Sequence, residues 1–206
     1  MSQLAFFLDG TRCTGCKTCV FACKDIKDLE AKHAYRHVYE YTGGETLKDA
    51  QGAIASTCFT YALSVACNHC SSPICAQVCP TGAMHKSESD GLVTVDAARC
   101  IGCGYCHMAC PYNAPYVDRA KGHSVKCDAC ADLVRAGDKP ACVMACPARA
   151  LRFDTMEACS ARGERANTAP LPDPSYTEPN LYLKPARDAR PAASSEGRVA
   201  NPLEVR

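Results

Sequence analysis

No stretch of the 206-residue chain approaches the ~18–20 consecutive apolar residues that a bilayer crossing requires, so the sequence predicts no membrane span and leaves any membrane association to a partner. Neither sign of charge dominates. Lys and Arg number 23 against 22 Asp and Glu, a net charge of +1, which argues against a basic nucleic-acid binder and against an acidic solvating protein. The opening residues, Met1-Ser-Gln-Leu-Ala-Phe-Phe-Leu-Asp-Gly10, lack the basic region, long apolar core and cleavage site of a secretory signal. Nucleophile–base arrangements, phosphate loops and nucleotide fingerprints are missing as well, so on its own the chain is expected to turn over no substrate. What it has in excess is cysteine, eighteen residues in all.

Sixteen of the eighteen fall into four groups of four. The first is Cys13-x2-Cys16-x2-Cys19-x3-Cys23 and the second Cys67-x2-Cys70-x4-Cys75-x3-Cys79-Pro80. The third is Cys100-x2-Cys103-x2-Cys106-x3-Cys110-Pro111 and the fourth Cys127-x2-Cys130-x11-Cys142-x3-Cys146-Pro147. The first and third share more than cysteines: a short strand, D-x-x-R and C-x-G-C-x-x-C-x-x-A-C recur 87 positions apart, from Cys13 to Cys100. Such a repeat points to a duplicated module. Cys23 is followed by Lys24 instead of Pro, which leaves the first helix free to continue through Asp25-Ile-Lys-Asp-Leu29.

Thiolates select zinc, copper(I) or iron–sulfur clusters. Structural zinc uses short cysteine pairs separated by longer gaps, a pattern that fits only the fourth group. Three cysteines within seven residues suit three corners of a cube better than one small ion. The fourth, about one helical turn on at roughly 3.6 residues per turn, serves the neighbouring cluster in bacterial two-cluster ferredoxins. A disulfide scaffold, the first reading for a short secreted chain, loses ground without a signal sequence. The spacing therefore predicts four [4Fe–4S] clusters, each fully ligated by cysteine, with no vacant corner and no histidine-ligated centre.

Nesting predicts the pairing. Groups two and three are adjacent and joined by a hairpin, with Ser89-Asp90-Gly91 as its turn and Leu92–Val95 as its second strand. They would form set C (Cys67, Cys70, Cys75, Cys110) and set D (Cys100, Cys103, Cys106, Cys79). Groups one and four then pair across the sequence as set A (Cys13, Cys16, Cys19, Cys146) and set B (Cys127, Cys130, Cys142, Cys23). The expected fold is α+β: two bacterial-type ferredoxin-like units, one nested in the other, with a small β insertion and an extended C-terminal tail. The outer unit would span 1–30 with 120–159, the insertion 31–66, the inner unit 67–119 and the tail 160–206.

In the insertion, Tyr35, His37, Tyr39 and Tyr41 alternate up to Gly43-Gly44, and Phe59, Tyr61, Leu63 and Val65 share one face of a second strand. Packing on the core is the plainer reading and a partner-docking surface the alternative. Cys58 and Cys159 have no partners at ligand spacing. His69 and His107 lie inside complete groups and are read as packing residues, and His85 as a solvated hairpin residue. Seven of the thirteen prolines fall after position 169, so the tail is free-floating or held by Leu181-Tyr-Leu183.

With those residues in view, the chain resembles the iron–sulfur B subunits of anaerobic dimethyl sulfoxide reductases. The matching stretches are Arg12-Cys-Thr-Gly-Cys-Lys-Thr-Cys19, Ala22-Cys-Lys-Asp25, Cys67-Asn-His-Cys70, Gly82-Ala-Met-His-Lys86, Cys106-His-Met-Ala-Cys-Pro-Tyr112, Lys121-Gly-His123 and Lys139-Pro140. In the tail, Pro170-Leu-Pro172, Lys184-Pro185 and Asn201-Pro202 agree too and favour this branch over its relatives. The resemblance implies a non-catalytic electron-transfer subunit between a quinol-oxidising membrane anchor and a molybdopterin catalytic subunit that reduces dimethyl sulfoxide and related oxides. It also implies a peripheral place on a bacterial inner membrane, at the periplasmic face by co-export with the catalytic subunit, with a cytoplasmic-facing version as the alternative. The same wire in a polysulfide, thiosulfate, tetrathionate or nitrite reductase is the near rival. A zinc-stabilised interaction module and a free polyferredoxin are the distant ones.

Overall fold

The computed structural model describes residues 3–205. The run Leu4-Ala-Phe-Phe-Leu8 has no polar alternation and so needs cover on both faces. It forms β1 (Leu4–Asp9), in which Ala5, Phe6, Phe7 and Leu8 are all buried. A cysteine loop leads into α1 (Thr18–Ile26), which runs past Cys23 as the missing proline allows. It stops at Ile26, three residues short of the expected end, where Leu29 N–H donates to the Lys24 carbonyl.

Next come β2 (His37–Gly43), an exposed hairpin of β3 (Thr46–Lys48) and β4 (Ile54–Ser56), and β5 (Phe59–Val65). Phe59, Tyr61, Leu63 and Val65 all point inward, as their alternation requires. On β2 the aromatic alternation does not define the buried face: Val38 and Tyr41, three residues apart and so on opposite faces, are the residues enclosed. Cys58 lies exposed just ahead of β5.

The middle of the chain holds short elements: α2 (Ile74–Gln77), the hairpin β6 (Met84–Lys86) with β7 (Val93–Val95), and α3 (Tyr105–Ala109). A second hairpin follows, β8 (Tyr116–Asp118) with β9 (His123–Val125), then α4 (Ala131–Arg135) and α5 (Ala141–Met144). The chain continues into β10 (Leu151–Thr155) and α6 (Met156–Ser160).

The tail is where the structure differs most from a free proline-rich segment. It contributes β11 (Glu164–Arg165), β12 (Leu181–Lys184) and β13 (Gly197–Val199). β12 lies parallel to β1, giving a four-stranded sheet of order β10-β1-β12-β11, while β13 closes the edge of the β2–β5 sheet. The apolar anchor Leu181-Tyr-Leu183 is wholly buried in this strand. Polar contacts tie down the rest: Tyr61 Oη donates to the Ala169 carbonyl at 2.8 Å, and Asn201 Nδ2 to the Val38 carbonyl at 2.9 Å. Cys159 is completely enclosed in α6, its thiol 3.5 Å from the Ala5 carbonyl. Among the described residues no helix is long and apolar enough to cross a membrane.

Candidate metal centres

All eighteen cysteines are free thiols. Cys13, Cys16, Cys19 and Cys146 line one pocket with Leu8, Val38 and Pro147. Cys79, Cys100, Cys103 and Cys106 line another with Met84, Val95 and Ile101. Each encloses about 330 Å³ of empty volume, mouth included. These are sets A and D as the spacing groups them. The two loops share their backbone: Gly15 and Gly102 have φ of +70° and +67°, and Lys17 and Gly104 enter their helices from the left-handed region. The 87-residue repeat is thus a repeat of conformation. The rest of set A and D geometry differs, for a Cβ on Gly102 would lie 2.8 Å from the Gly122 carbonyl, whereas one on Gly15 meets only the Ala62 methyl at 3.3 Å.

The other two sets lie inside. Burial pushes the Cys23 thiol up to about 12, partly offset by the Arg36 guanidinium, with Cys142 and Cys130 adding repulsion. Burial likewise drives Cys127 well up, followed by the charges of Cys23 and Cys67. Cys70 and Cys75 both reach about 12 through burial, with Cys67 and Cys110 contributing. Cys23, Cys127, Cys130 and Cys142 thus lie within reach of one another's charge, as do Cys67, Cys70, Cys75 and Cys110, with Cys67 also within reach of Cys127.

Helix packing brings the cysteines of neighbouring groups side by side. α1 carries Cys19 of set A and Cys23 of set B, and it packs on α5, which carries Cys142 of set B just before Cys146 of set A. In the same way α2, with Cys75 ahead of Cys79, packs on α3, with Cys106 ahead of Cys110. α1 carries cysteines of two sets one turn apart on one face, and α2, α3 and α5 each end one or two residues before the cysteine that belongs to the neighbouring set.

An all-sulfur donor set of four at each centre fits an iron–sulfur cube. Among the described residues, no three His, Cys, Asp or Glu side chains are arranged to hold a single ion. The charge balance fits too. Arg36 is 1% exposed and Lys126 6% exposed, both in the middle of the cysteines, and neither has a carboxylate partner among the described ion pairs. Lys126 Nζ donates to the Cys127 carbonyl at 2.9 Å and to the Val93 carbonyl. Burial works against the charge on Arg36, and the thiolates of Cys142, Cys19, Cys127 and Cys23 outweigh it, so its pKa is raised. Two cations this deep are costly without anions beside them, and thiolate-ligated clusters are anions.

Polar groups also touch the sulfurs. Ser64 Oγ lies 3.2 Å from Cys19 Sγ and Ser124 Oγ 3.3 Å from Cys106 Sγ, so the third cysteine of each repeated loop faces a serine. Backbone N–H groups of Met84, Ser124 and Ala129 donate to Cys79, Cys100 and Cys127 at 3.3, 3.3 and 3.4 Å. Contacts of this kind tune a cluster's potential.

The histidines behave as packing residues. His69 is 1% exposed and its Nδ1 accepts from Val93 N–H at 3.0 Å, and His107 Nδ1 lies 2.7 Å from the Pro115 carbonyl. His85 is exposed on β6. Sequence reasoning missed three residues. Arg36 sits within an alternating aromatic segment and carried no signal of burial. Lys126 precedes a cysteine and looked like an ordinary surface lysine. Asn180 in the tail is fully buried and donates to the His69 carbonyl at 2.9 Å, holding the Cys67–Cys70 loop from 111 residues away.

Comparison with known proteins supports [4Fe–4S] clusters as the cofactor. Residues 58–156, which include the second, third and fourth cysteine groups, match the family described as a 4Fe-4S dicluster domain. The sequence is 51% identical to the B subunit of anaerobic dimethyl sulfoxide reductase from Escherichia coli (strain K12) over 99% of both proteins. It is 50% identical to the subunit of the same name from Haemophilus influenzae over the full length of both. The thiosulfate reductase electron transfer subunit PhsB of Salmonella typhi is 38% identical over 76% of this chain and 78% of its own. Both B-subunit alignments span the docked tail as well as the cysteine sets, and on that whole length the protein belongs to the family of anaerobic dimethyl sulfoxide reductase B subunits, the iron–sulfur subunits.

Proposed function

We propose that the chain is the non-catalytic electron-transfer subunit of a molybdoenzyme complex that reduces dimethyl sulfoxide and related oxides, and that it holds four [4Fe–4S] clusters in the order A, B, C, D. The observation that carries this reading is the burial pattern of the cysteines. Sets B and C present no exposed cysteine, while sets A and D each present one, Cys16 and Cys103. A chain of centres with a closed middle and two open ends is what a conduit between two partners requires. Order is supported by contacts between sets: Cys19 lies near enough to Cys142 to feel its charge, and Cys127 to feel that of Cys67. Sets C and D share α2 and α3.

The clusters would supply one-electron redox chemistry. The chain's residues ligate them, exclude water from the middle pair and set the electrostatics through serine hydroxyls, backbone N–H groups and buried cations. Exposed apolar side chains flank both ends: Ile101, Tyr105 and Met108 beside set D, and Phe21 and Met144 on the paired helices of sets A and B. Such patches suit partner docking, here a molybdopterin catalytic subunit at one end and a quinol-oxidising membrane anchor at the other. The nested pair of ferredoxin-like units, with the boundaries given by the spacing, follows from the same helix pairs. A peripheral position on the bacterial inner membrane, at the periplasmic face, completes the proposal.

The test is anaerobic oxidation of a reduced viologen by the natively assembled complex, with dimethyl sulfoxide, trimethylamine N-oxide, tetrathionate and thiosulfate offered separately. Turnover with the sulfoxide is expected. Activity confined to a sulfur oxyanion would refute the choice of acceptor and move the chain to the branch of its thiosulfate-reductase relative.

A further inference from the structure

We propose that Arg36 is a counter-cation shared by the clusters of sets A and B, raising both of their potentials together; this rests on the four-cluster reading. Arg36 precedes β2 and is 1% exposed. Its Nη1 donates to the Ser64 carbonyl at 3.2 Å and to Ser64 Oγ at 3.1 Å, and that hydroxyl lies 3.2 Å from Cys19 Sγ of set A. The guanidinium carbon stands 4.9 Å from the centre of the Phe6 ring. Nε and Nη2 are buried with no hydrogen-bond partner.

An unpaired guanidinium in this position is not explained by packing. One serine and one aromatic face satisfy a single nitrogen and part of the cation's plane, leaving two donors and a full charge uncompensated. The charge acts on Cys19 of set A and on Cys23, Cys127 and Cys142 of set B. Cys19 and Cys23 lie one helical turn apart on α1, so a cation bridged by Ser64 to Cys19 and within reach of Cys23 acts on both of the centres this helix serves. Two anionic clusters sharing one fixed cation supply the missing partner. A positive charge also favours the more negative, reduced form of each, so an electron arriving at either centre meets the same stabilisation. Both couples are thereby shifted the same way, and the difference between them across α1 is left unchanged.

The experiment is a redox titration followed by electron paramagnetic resonance on the anaerobically purified full chain, comparing wild type, Arg36→Met and Arg36→Lys. With the charge removed in Arg36→Met, two of four reduction equilibria are expected to shift toward the oxidised form by about tenfold, or about 59 mV for a one-electron couple, and the other two to stay in place. Arg36→Lys, which keeps the charge, is expected to restore most of the shift. Loss of iron from two centres in Arg36→Met but not in Arg36→Lys would support the same role. Four couples at their wild-type positions in Arg36→Met, a shift confined to one, or equal disturbance by Met and Lys would overturn the shared-cation role while leaving the four clusters intact. A wild-type chain with fewer than four titrating centres would overturn the four-cluster reading and this inference with it.

Discussion

Asn180 gives the sharpest handle on how the tail supports the centres. It is completely buried, with Nδ2 donating to the His69 carbonyl at 2.9 Å and Oδ1 accepting from Ser71 Oγ at 3.2 Å. Its backbone N–H donates to the Asn68 carbonyl at 3.0 Å, and Ser71 and Ser72 N–H groups reach the carbonyls of Glu178 and Thr177. Asn180→Ala keeps the backbone bonds and removes the two side-chain bonds. Ser71 is half-exposed and finds water, whereas the His69 carbonyl is left with only a marginal contact at 3.5 Å from Lys86 Nζ. One buried acceptor left wanting costs about 1–3 kcal/mol. That is a rise of roughly 5–150-fold in local opening of the Cys67–Cys70 loop. Release of iron to a ferrous chelator under anaerobic conditions reads that opening. The fast phase is expected to carry about a quarter of the iron, one centre of four. Asn167→Ala, which removes a bond confined to the tail (Ala192 N–H to Asn167 Oδ1 at 3.2 Å), is the control. Iron release from Asn180→Ala that overlays wild type would refute the argument that the tail braces set C.

Leu183→Ala removes a side chain 1% exposed in β12 and is expected to cost about 2–5 kcal/mol of stability; a thermal midpoint equal to wild type would mean that the tail docks without contributing stability. Gly102→Ala forces a Cβ to 2.8 Å from the Gly122 carbonyl at φ +67° and is expected to lower the iron content of set D, with Gly15→Ala milder. Equal iron-to-protein ratios for the two variants would contradict that ranking. Cys58→Ser and Cys159→Ala are each expected to leave iron content unchanged, since one thiol is exposed beside a hairpin and the other is sealed against β1.

Cysteine spacing made the site legible because ligand geometry is local: three thiols on one loop and a fourth one turn along a helix leave a pattern within eleven residues. The two pockets with four cysteines each, Cys13 to Cys146 and Cys79 to Cys106, follow that pattern. Local too were the β6–β7 hairpin and the inward face of β5. What spacing could not reveal depends on distant partners. β12 pairs in parallel with β1 from the far end of the chain, and no turn or periodicity announces a parallel neighbour. Arg36 reads as one polar residue in an alternating strand, yet it is buried within reach of cysteines from the first and fourth groups, more than a hundred residues apart in sequence. Asn180 has no signal beyond the apolar triplet that follows it.

The central claim is that this chain holds four cubes, and the direct test is chemical. The full chain, purified without oxygen, should contain about sixteen iron and about sixteen acid-labile sulfide per polypeptide, with zinc near zero. About eight iron, or zinc in place of iron, would contradict it.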